Sequence, residues 1–180
     1  MKKLDVTQDA VQNAWLKGTT EQRQLLENLF GDAAKVPVDI KDRVKTYEDA
    51  CKELGIKPVC FDYLPERERK HLSALIKLET ITKALNEGWE NPQNGEGYVY
   101  WPWFYIVNSY EEMENYRKNG YQVTEVTGLK NVIGLACSHS NDAPSNTNTN
   151  IGSRLCFKSR DLAKYAATTF TALYADWLLI

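Results

Sequence analysis

The 180-residue chain has no apolar run of 18 or more residues, so nothing in it reads as a membrane-spanning helix. Its basic start, Met1-Lys2-Lys3, is followed by no apolar stretch, and a secretory leader is not expected. Excess positive charge is also missing. The formal net charge is −2, which argues against a domain that holds nucleic acid by Coulomb attraction. The four cysteines form no Cys-x-x-Cys pair, which removes zinc ribbons and thioredoxin-like redox motifs. No Gly-rich phosphate loop, His-Glu-x-x-His helix or Gly-x-Ser-x-Gly elbow occurs. Histidine is scarce, with only His71 and His139, so acid–base chemistry has few candidates. At this size a single hydrophobic core suffices without disulfide or metal support.

What is present divides the chain into two unlike halves. Thr7 and Thr20 are placed to cap two short helices, about 8–16 and 21–30, with Gly18 and Gly31 at their ends. Leu25, Leu26, Leu29 and Phe30 then form a face that needs cover. Residues 32–45 read as a linker. Thr46 opens another short helix that Gly55 stops. Pro65–Asn86 is the longest helix, with Leu72, Leu75, Ile76, Ile81 and Leu85 near one stripe.

After the turn residues 91–95, strand signals take over. Tyr98–Val107 is dense in aromatic and β-branched residues. Pro102 within it demands an edge position or a bulge. Ser109 and Glu112 make a capping box for a short helix ending at Gly120. Residues 121–127, 131–138 and 153–158 read as three further strands. A polar loop spans 138–150, and one helix capped by Ser159 runs nearly to Ile180. The expected class is α+β: a helical N-terminal half, a small antiparallel sheet and a closing helix. The expected domains are a helical hairpin (1–31), a linker (32–45) and an α+β domain (46–180).

Four segments together resemble one family. They are Arg43–Cys51 (RVKTYEDAC), Ala84–Trp89 (ALNEGW), Trp101–Phe104 (WPWF) and Gly152–Ala163 (GSRLCFKSRDLA). In these the chain is similar to a group of uncharacterised proteins of gut Bacteroides species and their phages or prophages. The resemblance implies a mobile-element protein, cytoplasmic in its bacterial host or carried in the virion. It transfers no catalytic residue and no cofactor.

The loop 138–150 is the most unusual segment, because ten of its thirteen residues are Ser, Thr, Asn or Asp. Such short side chains suit an adaptable binding surface. The run is also similar to variable regions of proteins diversified by retroelements. The candidate ligand-binding residues are therefore His139, Asn141, Asp142, Asn146, Asn148 and Asn150. Trp101 and Trp103 join them from the aromatic strand. The plainer alternatives are a solvated hairpin loop and a strand packed into the core.

A cysteine hydrolase would need Cys137 beside His139, with Asp142 as orienter, and simple alternation along a strand puts Cys137 and His139 on one face. A metal site from Cys137, His139 and Cys156 fits no known zinc spacing. No metal and no cofactor is expected. The leading expectation is a non-enzymatic binding or assembly protein with a protein partner or a second copy. The alternative is an intracellular accessory factor that inhibits host defence or holds a nucleotide. A pocket lined by Arg154, Lys158 or Arg160 beside aromatics would favour that alternative.

Overall fold

The computed structural model describes residues 6–127, 129, 131–145 and 153–179, apart from the side chains of Arg67, Ser138, His139 and Ser153. The chain forms two compact units, residues 1–43 and 44–180.

The first unit holds α1 (Gln8–Lys17), α2 (Thr20–Phe30), a 3₁₀ turn (Gly31–Ala34) and α3 (Ile40–Arg43). Thr7 caps α1 as its sequence predicts. The cap of α2 is Thr19 and not Thr20: its hydroxyl accepts from Gln22 N–H while the Gln22 side chain accepts from Thr19 N–H. Gln22, three residues after Thr19, completes this reciprocal box. Val11, Trp15 and Ala34 make a small core with Leu26 and Val36. Trp15 donates its indole N–H to Glu27 at 2.8 Å and lies under the Arg23 guanidinium. Leu25, Leu29 and Phe30 remain exposed.

The second unit is α+β. It contains α4 (Tyr47–Leu54), α5 (Glu66–Leu85), β1 (Tyr98–Val107), α6 (Tyr110–Lys118), β2 (Gln122–Glu125), β3 (Gly134–Pro144), α7 (Arg160–Thr169) and α8 (Thr171–Leu179). The antiparallel sheet has the order β1-β3-β2. Thr46, Ser109 and Ser159 cap their helices as expected. At Ser109 the box is half made, since the Glu112 carboxylate accepts from Asn108 N–H.

Three expectations are corrected. First, β3 continues through Asn141 to Pro144, where a loop was expected, because its backbone pairs with β1 from Tyr98 to Trp103. Second, the last strand is reduced. Residues 153–155 are a 3₁₀ turn, and only Phe157 bridges to β1, exchanging two hydrogen bonds with Tyr100. The physical reason lies in Pro102. The Tyr100 N–H points away from β3 to Phe157. Two residues on, the corresponding position of β1 has no N–H to donate, so the ladder cannot continue. Third, the closing helix is two helices, broken at Phe170. There Thr168 and Thr171 turn their hydroxyls onto preceding carbonyls, a bond that bends helices.

Alternation along β1 assigns the faces. Phe104 meets Tyr174 of α8 at 4.9 Å between ring centroids, while Tyr105 stacks on Tyr116 of α6 at 5.5 Å. Helix α8 and helix α6 therefore cover opposite faces. Helix α7 lies on the α8 side, where Arg160 reaches over Tyr100. Helix α5 packs on α8, and α4 packs on α5.

Tyr174 is buried, and its hydroxyl has no hydrogen-bond partner among the described residues. Burial, then the nearby Cys137 and Cys156 thiols, push its pKa well above the ordinary value. The fold thus favours the neutral phenol. That contribution is complete below the unfolded pKa of about 10 and is lost as pH rises above it. Tyr174→Phe removes both the orphaned hydroxyl and this alkaline loss. The variant is expected to be about 1–3 kcal/mol more stable at neutral pH, with a gain that widens above about pH 10. Urea midpoints at the two pH values check this.

Candidate functional site

Of the residues predicted from the polar loop and the aromatic strand, Trp101, Trp103, Asn141 and Asp142 have described side chains, and these differ in their surroundings. In the register, Trp101 lies opposite Asn141 and Trp103 opposite His139. Trp101 is buried with Val99 and Cys156, against Trp89 and Ala143, so it belongs to the core. Trp103 is 42% exposed and Asn141 is exposed. Asp142 is drawn to the α7 side, where its carboxylate accepts from Arg160 at 2.7 Å. Asn146, Asn148 and Asn150 lie outside the described residues.

The Cys137–His139 pairing is not supported by simple alternation. From Trp103 to Tyr105 the partners run from His139 to Ala136, three residues against two, so an extra residue of β3 falls between Cys137 and His139. Cys137 and Cys156 are both buried, and burial makes a thiol a poor nucleophile. Among the described residues, no group of three His, Cys, Asp or Glu is placed to hold a metal ion.

A different site is present in the second unit. A cavity of about 560 Å³ opens at the C-terminal end of α5. Its floor is one face of that helix. Glu79, Thr82, Lys83 and Asn86 stand at i, i+3, i+4 and i+7, with Thr80 beside them. Leu54 and Ile56, from the end of α4, form an apolar wall. Segment 88–93 contributes Trp89, Glu90, Asn91 and Gln93, and Arg154 closes the remaining side. The size lies within the roughly 300–1,000 Å³ usual for small-molecule sites.

Two features fix this cavity. The Asn86 carboxamide donates to the Cys156 carbonyl at 2.8 Å and accepts from Lys158 N–H at 3.1 Å, tying α5 to the segment that carries Arg154. Trp89 is half-buried against Val99, Trp101 and Cys156, which holds its indole in place. A third feature is uncompensated: Thr82 is 2% exposed and its hydroxyl has no partner among the described residues. Buried hydroxyls are normally paired, and this one is shielded within the helix packing rather than open to the cavity.

The cations near this cavity differ in their commitments. Arg154 is 80% exposed and sits 3.6 Å from Glu79. Lys158 pairs with Glu87 at 3.0 Å, and Arg160 with Asp142. Of the three cations expected to line an anion pocket, only Arg154 does so.

The sequence alone carries no distinct signal for this site; what marks it is seen in the burial along the end of α5. Thr82 and Asn86 are polar residues inside the run 81–86, which is otherwise buried except for Lys83. Comparison of the chain with family models, curated proteins and solved structures finds no match.

Proposed function

We propose that the protein is a non-enzymatic binding protein of phage or prophage origin, and that it holds a small ligand in the cavity at the end of α5. The observation that carries the reading is a cavity of ligand size built on a fixed indole and a fixed carboxamide. The mobile-element origin rests on the sequence resemblance. Arg154 and Trp89 both line this cavity, but the anion-binding form of the accessory-factor reading lacks fixed donors.

The test uses ligand-observed NMR with a mixture of heteroaromatic, sugar and amino-acid fragments. The native chain is compared with Ile56→Trp, which narrows the mouth from an exposed position. Loss of fragment binding in the variant supports the cavity as the site. Binding that is equal in both chains, or absent from the native chain, overturns it.

A second reading is favoured by the exposure of Trp103 next to Asn141 on β1 and β3. This surface would contact a protein partner in the virion. Mass spectrometry of purified particles from a strain carrying the gene decides it. Presence in the particle supports the contact, and absence removes it.

A further inference from the structure

We propose that the α5 cavity takes an uncharged polyhydroxylated ring, a pyranose sugar, seated against the Trp89 indole. This rests on the reading of the cavity as a ligand site.

Charge is the first argument. The lining carries Lys83 and Arg154 against Glu79 and Glu90, so its formal charge is zero. The lining therefore has no excess of either sign to select an anion or a cation. A phosphate would need fixed donors. The two lining cations, Lys83 and Arg154, are both exposed and so are not fixed donors, and Lys158 and Arg160 are held by Glu87 and Asp142.

Polarity is the second argument. The lining mixes the carboxylate acceptors of Glu79 and Glu90 with the amides of Asn91 and Gln93. A sugar hydroxyl both donates and accepts, so it can serve each of these partners in turn. An apolar ligand would leave them unpaired in a desolvated site.

Shape is the third argument. One face of a pyranose presents C–H bonds that carry partial positive charge, and an aromatic face is electron-rich. Trp89 lines the cavity and is already packed against Val99, Trp101 and Cys156, so stacking on its indole would cost little side-chain freedom. Leu54 and Ile56 add apolar surface for the rest of the ring.

Saturation-transfer NMR with the full chain tests this, using methyl α-glucoside, methyl β-galactoside and N-acetylglucosamine as probes and adenosine monophosphate and glutamate as comparators. At least one pyranoside is expected to receive saturation on its ring C–H protons. Affinity is expected to fall about tenfold or more in Trp89→Ala, in Ile56→Trp and in Glu90→Ala. The use of three variants keeps the test valid if Trp89→Ala does not fold. Binding of a comparator but of no pyranoside, lost in Ile56→Trp, overturns the sugar and leaves the cavity as a ligand site. A pyranoside signal unchanged in all folded variants overturns the sugar at this site. If no probe binds and the fragment mixture also fails, the cavity reading itself falls.

Discussion

Phe157→Ala is expected to destabilise the second unit by about 3–5 kcal/mol, the usual cost of emptying a buried phenylalanine site. Phe157 is fully buried and among the largest side chains that are. It stands directly opposite Tyr100 in the bridge to β1, and so on the sheet face that α7 covers. Alanine keeps both backbone hydrogen bonds of the bridge, at 2.8 and 3.1 Å, so the loss isolates packing from pairing. Against a typical total of 5–15 kcal/mol, the variant would retain only part of its stability. Urea denaturation checks this: the midpoint should fall with the slope unchanged. A loss below about 1 kcal/mol would show that the bridge, and not the ring, holds this segment.

The elements that local chemistry specifies were legible. Thr7, Thr46, Ser109 and Ser159 cap helices because a short side-chain oxygen near its own amides needs nothing from the rest of the chain. The long helix was equally clear, although its most buried residues are Ala74, Leu78, Ile81, Ala84 and Leu85 and the early Leu72, Leu75 and Ile76 are only partly buried. Elements that depend on distant backbone were less legible. Asn141 and Asp142 have the composition of a loop, yet β1 pairs with them across some forty residues of chain. The Ser140 hydroxyl is buried there with no hydrogen-bond partner among the described residues, a cost that composition does not predict. The break at Phe170 escaped because Thr168 and Thr171 fit an apolar-periodic helix until their hydroxyls compete for its carbonyls.

The site was less legible than the fold. The cavity draws on the end of α4, the floor of α5, the following segment and Arg154, which lie up to a hundred residues apart. No spacing rule joins them. The composition of the 138–150 segment drew attention because it is unusual, whereas the cavity residues are individually ordinary. Asp142 shows the consequence. It reads as a ligand contact in a polar run, and it serves as the counter-ion that attaches α7 to the sheet.

Asn86→Leu is expected to cost about 2–5 kcal/mol, because two backbone groups lose their partner at once and each such loss costs roughly 1–3 kcal/mol. In the extended segment 156–158, alternate peptide groups point to opposite sides. Phe157 uses its own N–H and carbonyl on β1. The Cys156 carbonyl and the Lys158 N–H face the other way, toward α5, and the Asn86 carboxamide meets both. One side chain thus takes the place that a peptide group of a neighbouring strand would fill. Leucine has the same branching and number of heavy atoms, with bulkier methyl groups and neither function. Asn86→Asp separates the two bonds. The new carboxyl can still accept from Lys158, but it can donate to the Cys156 carbonyl only when protonated. The fold therefore favours its neutral form and raises its pKa above the ordinary value of about 3.9. The stability from that bond is present below this value and is lost as pH rises through the raised one. Asn86→Asp should approach the native protein near pH 4 and fall well below it at pH 7. The deficit of Asn86→Leu should be the same at both. Urea midpoints of the three chains at the two pH values decide this. An Asn86→Asp deficit that does not change with pH would show that the bond to Cys156 contributes little to holding the cavity floor.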